Sequence, residues 1–185
     1  MVNFVMNAIL DRSSIRAYAE TPLTETELTQ LKKAALASPT AMNRQNQRFV
    51  FVTNREVIDK IDAAVVEGII ASGNAAFAER IRSRGGKTLY NAPLFVGIFA
   101  KPARFAQIDA GIAVENLALA AKSLGLDSVI LGMPDAAFAG EKGHEFAASL
   151  GVPEGFEFMI GIAIGHRATE KAPHEWDESH VIEVK

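Results

Sequence analysis

The chain has 185 residues, of which 49% are hydrophobic, with no cysteine and a formal net charge of −3. A chain of that length buries about 70% of its unfolded surface, and the absence of cysteine removes disulfides, thiolate nucleophiles and cysteine-ligated metals. The mildly acidic balance lacks the basic footprint of a nucleic-acid binder. The opening VNFVMNAIL carries no basic leader and stops at Asp11, too soon to span a bilayer, so it reads as the first packed helix of a cytoplasmic protein.

DRSSIRAY follows, placing Arg12 and Arg16 around Ser13 and Ser14. Two forked guanidinium groups and two hydroxyls suit a dianionic phosphate, although such a group taken by itself is more often a solvated helix end. A second helix opens on LTETEL, where Thr24 and Glu27 have capping-box spacing and Leu28, Leu31, Ala35 and Leu36 recur at helical intervals. After it, SPTAMNRQNQRF crowds amide side chains into a loop. Such groups can read a heterocycle edge that offers both carbonyls and ring N–H, or simply form a turn.

RFVFVTN reads as a buried strand, and REVIDKIDAAVVEGI as a helix with Val57, Ile58, Ile61, Val65 and Val66 on one face. Residues 71–90 mix glycine with charge and predict helix pieces around a mobile loop. PLFVGIFA at 93–100 is a second strand, and 105–124 is a long alanine-rich helix ending before Gly125. In it Ala113, Leu117 and Ala121 suit either a helix interface between chains or the core. DSVILG forms a third strand, residues 135–150 two short helices, and 156–165 a fourth strand before a polar tail. Without a repeat or a linker, the expectation is one domain over residues 1–185 with helices layered on a sheet.

Several motifs fail. GGKT at 85–88 lacks the first P-loop glycine, since Ile81 stands there. His144, His166, His174 and His180 lack zinc-site spacing, and no serine has a nucleophile-elbow context. Asp109, Glu115 and Asp127 read as a helix start, a packed ion pair and a turn. Any chemistry would therefore be a cofactor's.

Taken together, DRSSIRAY and the helix and loop that follow, through ASPTAMNRQNQRFVFV, resemble the FMN-dependent nitroreductase family, whose pattern runs R-[RH]-S-x-[RK]-x-[FY] and then S-P-S-x-x-N-x-Q-P-W-x-F. NAPLFVGIFA, DAGIAVENLALAAKSLGLDSVILG and LGVPEGFEFMIGIAIGHR resemble its later segments. The resemblance implies an α+β fold with a mainly antiparallel sheet flanked by helices, an intertwined homodimer, and FMN with NADH or NADPH as co-substrate. It implies that Arg12, Ser14 and Arg16 hold the phosphate and ribityl end, with Ser13 at a variable position. Pro39, Thr40, Ala41 and Asn43 match the loop that reaches the partner's flavin, and Leu131, Gly132 and Met133 the backbone lying along the ring, where main-chain N–H groups can stabilise negative charge.

The implied activity passes a hydride through flavin to a nitroaromatic, quinone or similar acceptor in a ping-pong cycle. A flavin reductase, a dehalogenase-like enzyme and a non-catalytic flavin-binding or sensory module are the alternatives on one fold. Departures are clear: QPW is QNQ at residues 45–47, and the C-terminal basic residue expected against the phosphate has only Lys171 or His174 to stand for it. A histidine there would be partly charged at neutral pH, its ordinary pKa being about 6.5.

Overall fold

The computed structural model describes residues 3–83 and 85–185. Helix α1 (Phe4–Asp11) starts where the Asn3 side chain accepts the Met6 N–H. Helix α2 (Glu25–Leu36) starts at the expected capping box: Thr24 Oγ1 accepts the Glu27 N–H at 3.2 Å, and Glu27 Oε2 accepts the Thr24 N–H at 2.6 Å. Strand β1 (Gln47–Val52), helices α3 (Arg55–Ala71) and α4 (Ala75–Arg82) and strand β2 (Leu94–Ala100) follow. Helix α5 (Ala106–Ser123), strand β3 (Asp127–Leu131), helices α6 (Asp135–Phe138) and α7 (Gly140–Ser149) and strand β4 (Glu157–Gly165) complete the order.

The end of α5 is set by Gly125, which takes a φ of +77°. It lets the Gly125 N–H reach the Lys122 carbonyl and the Leu126 N–H the Ala121 carbonyl, the paired closure of a Schellman turn. The four strands lie in the order β1-β2-β4-β3, every neighbour antiparallel. This is the expected α+β sheet.

All seven residues of β2 are buried, so the strand carries apolar side chains on both faces. Leu94, Val96 and Ile98, with Ile162 and Ile164 of β4, pack against α2 and α5. Phe95 and Phe99, with Val129, Leu131 and Ala163, pack against α3, α6 and α7 on the opposite face. Ala113, Leu117 and Ala121 are fully buried inside this one chain, so core is the reading that holds for them.

The second face is aromatic: the Phe99 ring meets Phe138 edge-on at 5.1 Å and Phe158 at 5.5 Å. Room for those rings comes from Gly97 and Gly161, which oppose each other across β2 and β4. A Cβ at Gly161 would stand 2.6 Å from Phe95 Cε2. Asp127, expected in a turn, is instead the buried first residue of β3, with Lys122 Nζ at 3.1 Å and Arg167 at 3.7 Å.

Arg84 lies outside the described residues. Within residues 71–90 α4 is an expected helix piece, whereas Thr88 and Leu89 are buried where a mobile loop was expected. The cause is long-range: buried Asp62 on α3 accepts from Thr88 Oγ1 at 2.6 Å and from the Leu89 N–H at 2.8 Å. Beside it, hydrogen bonds from Arg55 and Lys87 hold the Asp59 carboxyl down to about 2.

Two outcomes follow from this packing. Gly161→Ala forces the Phe95 ring aside and should lower the unfolding free energy by about 1–3 kcal/mol, read as a lower urea midpoint with an unchanged slope. A depressed carboxylate pKa gives stability that is complete above the ordinary value of 3.8 and is lost as pH falls through about 2. Melting temperature should therefore decline across that window in the unmodified protein. In Asp59→Asn the decline should be smaller, and because Asp59 is 43% exposed, added salt should shrink the difference between the two.

Candidate functional site

Beyond α1 the chain leaves the helix at Arg12 and runs as an extended arm along the outer edge of β3. The Ile15 N–H donates to the Ser128 carbonyl at 3.0 Å, Ser14 and Ser128 forming a parallel bridge. Ala19 then donates to the His166 carbonyl at 2.8 Å, and Ala168 to the Ala17 carbonyl at 2.9 Å. Alternation buries Ser13 and Ile15 and leaves Arg16 exposed. Tyr18 locks the arm: its hydroxyl donates to the Ile15 carbonyl at 2.8 Å, and burial pushes its pKa far above the ordinary range, so it stays a donor.

The four arm residues expected to meet a phosphate have different surroundings. Arg16 pairs with no carboxylate among the described residues, and its guanidinium stands 6.0 Å from the centre of the Tyr90 ring. Arg12 is half-buried, with its Nε 3.7 Å from Glu115 on α5, so Glu115 is the ion pair the sequence suggested. Ser14 is half-buried. Ser13 points inward and donates to the Lys171 carbonyl at 3.0 Å, which ties the arm to the C-terminal tail. Lys171 thus meets the arm through its backbone, while the Lys171 and His174 side chains are exposed.

The second cluster is built on α5. Asn116 donates to Ser38 Oγ at 3.1 Å, and Asp109 accepts the Ala41 N–H at 3.0 Å. Between those points Pro39 is exposed and Thr40 is extended, its hydroxyl accepting the Gln45 N–H at 3.0 Å. A 3-10 turn covers Ala41–Asn43, with Met42, Asn43 and Gln45 in the left-handed region at φ of 54°, 52° and 48°. Gln45 Nε2 donates to Asn43 Oδ1 at 2.7 Å.

At the base of this loop lies a cavity of 590 Å³ lined by Leu36, Thr40, Gln45, Gln47, Phe49 and Phe51 among others. It explains why Leu36, expected on the buried face of α2, is 77% exposed. Gln47 is buried, yet its Nε2 has no partner, and neither has the buried Oδ1 of Asn46.

The third segment is the turn after β3. Leu131 is buried, Gly132 exposed and Met133 half-buried on the core that also carries Tyr90. The Gly132 and Met133 carbonyls accept from Asp135 and Ala136 and start α6. Asp109 and Tyr90 contact the expected site residues Ala41 and Arg16, and Asn116 contacts Ser38 at the root of the loop, although sequence reading gave none of them that part. Their contacts span 68, 74 and 78 residues, so composition carried no signal beyond a lone acid in an apolar helix. Among the described residues no group of three or more His, Asp or Glu side chains could hold a metal ion, and no helix is long and apolar enough to cross a membrane.

Comparison with known proteins gives a consistent picture. A nitroreductase from Desulfitobacterium hafniense, solved with bound FMN, is 32% identical and superposes with a TM-score of 0.91 over 100% of both chains. The fold also matches a nitroreductase with bound FMN from Bacteroides fragilis, at TM-score 0.93, 24% identity and 100% coverage of both chains. A Bacillus subtilis protein named FMN reductase [NAD(P)H] is 26% identical over 182 residues, 92% of this chain and 69% of that one. The description of the nitroreductase family matches residues 9–166, which take in the arm, the loop on α5 and the turn after β3, so the chain belongs to that family.

Proposed function

We propose that the protein is an FMN-dependent oxidoreductase that takes electrons from NADH or NADPH and passes them to a nitroaromatic, quinone or similar acceptor, working as a cytoplasmic homodimer of one domain per chain. The observation that carries the reading is the pairing of an exposed, uncommitted Arg16 with unpartnered polar atoms at the base of the loop. An anion fits the first. A ring edge that both accepts and donates fits the second, since Gln47 Nε2 offers a donor and Asn46 Oδ1 an acceptor. The residues present therefore fit FMN.

Arg16, Arg12 and Ser14 would hold the phosphate, and Pro39, Thr40, Ala41 and Asn43 a ring brought by a second chain. Backbone at Leu131, Gly132 and Met133 would line the ring. When bound, FMN supplies two-electron chemistry, accepting a hydride from the nicotinamide and returning the electrons to an oxidised acceptor in a second half-reaction. The chain's own part is to orient and to screen: charge-assisted bonds from the arginines fix one end, and backbone donors favour negative charge on the ring.

The homodimer is supported by what one chain leaves uncovered. Phe4 is 78% exposed on α1, Ile108 is 59% exposed and Ile112 is also exposed on α5, and the tail presents Trp176, Ile182 and Val184. Among the described residues β1 is an edge strand with one side unpaired. Apolar surface and an open edge of that kind call for cover.

Purified protein should be yellow and release one FMN per chain on denaturation. Arg16→Ala should raise the FMN dissociation constant tenfold to a hundredfold or more, the effect of losing a charged hydrogen bond of about 1.5–3 kcal/mol. Arg82→Ala, on the exposed end of α4, should leave it unchanged. Menadione should accelerate NAD(P)H oxidation by the holoprotein; bound FMN without turnover would favour the non-catalytic module, and colourless protein that takes up no FMN would overturn the reading altogether. Light scattering at micromolar concentration should give a dimer whose melting temperature rises with both protein and FMN concentration. A stable monomer with full FMN affinity would remove the shared site.

A further inference from the structure

Building on the proposed flavin site, we infer that Asp109 is the positioning residue that holds the loop from Thr40 to Asn43 in its binding shape. The Asp109 residue is 5% exposed and stands in the first turn of α5, where the helix dipole favours a negative charge. A carboxylate so deeply placed requires a donor, and the Ala41 N–H supplies one at 3.0 Å. The loop in turn requires an anchor. Met42, Asn43 and Gln45 all sit in the left-handed region, which asparagine tolerates and methionine and glutamine resist.

The loop's internal bonds, from the Gln45 N–H to Thr40 Oγ1 and from Gln45 Nε2 to Asn43 Oδ1, close it upon itself without fixing it to the body. At its root the loop stays bonded to α2, where Ser38 donates to the Ala34 and Ala35 carbonyls, and beyond the root it is attached through α5: Asn116, two turns beyond Asp109 on the same face, donates to Ser38, and Asp109 holds Ala41 where the strained turn begins. Of the two, Asp109 carries the charge, and charge-assisted bonds are roughly twice as strong as neutral ones. Asp109 touches neither the proposed cofactor nor a reacting atom; it acts through the loop.

The test uses the holoprotein and FMN itself as probe. Asp109→Ala should raise the FMN dissociation constant by about tenfold, whereas Asp109→Asn, which keeps an oxygen acceptor, should stay within about threefold. Ala41→Pro removes the donor without touching the acid. It suits the site because Thr40 is extended (φ −131°, ψ 150°) and Ala41 opens the turn. It should weaken FMN as Asp109→Ala does, and the double variant should be no weaker than either single one, the mark of one shared bond. Adding Met42→Gly to Asp109→Ala should recover several-fold of the loss, because glycine adopts the left-handed turn without strain.

A role confined to the stability of α5 predicts otherwise: a lower melting temperature, unaltered FMN affinity in the folded protein, and no recovery from glycine. Ala41→Pro gives the same reading should circular dichroism find Asp109→Ala unfolded. If Arg16→Ala weakens FMN while Asp109→Ala and Ala41→Pro do not, the positioning role is wrong and the flavin site stands. If none of the three alters FMN binding, the flavin site itself falls.

Discussion

Alanines at positions 110, 113, 118 and 121 let α5 lie directly against the sheet, and that close approach governs where much of the chain can go. A helix seated so deeply becomes a fixed rod, and its few polar side chains act as fixed attachment points. Asp109 and Asn116 hold the loop after α2, Glu115 meets Arg12 of the arm, and Lys122 meets Asp127 at the start of β3. Larger side chains at the alanine positions would push the rod outward. Hydrogen bonds near 3 Å tolerate little of that before they fail, so packing on one face and the polar geometry on the other are a single constraint.

Much of the fold was legible because it is local. Thr24 and Glu27 announce α2 through their spacing, Gly125 ends α5 through its conformational freedom, and the alternation in β2 and β4 sorts their side chains onto two faces. What escaped is non-local. Thr88 and Leu89 lie in a glycine-rich, charged stretch that reads as loop, and only the Asp62 carboxylate, 26 residues earlier, makes them buried and ordered. The candidate site divides the same way. Its residue types stand out in the sequence as an Arg/Ser group and an amide-rich loop, whereas the partners that orient them, Asp109, Glu115 and Tyr90, sit more than fifty positions away from the residues they meet.

Departures from the family pattern also take physical form. Gln47 stands where the family has a large aromatic, and it is buried with an amide nitrogen unpartnered, so the wall beside the cavity has a donor in place of apolar surface. A buried donor without a partner is costly, which makes the wall more selective for whatever lies against it. Around the arm, Arg167 is engaged by Asp127 and Glu170, and Arg12 is drawn toward Glu115. Positive charge near the arm is thus partly neutralised by the chain itself. Arg16, resting over an aromatic ring, is the arginine of the arm left to act on something else.

The arm also has a history in time. It is synthesised before its backbone partners, which are Ser128 on β3, His166 and Ala168 just beyond β4, and the Lys171 carbonyl in the tail. None of these exists until most of the polypeptide has been made, so the two arginines must wait unanchored while α2, α3 and β2 are synthesised and begin to collapse. Pairing over such sequence separations is slow because the intervening chain must close a large loop first. The frame that directs the arginines therefore forms only once residues 128–171 have been made, and a nascent or C-terminally nicked polypeptide would display the arginines without it.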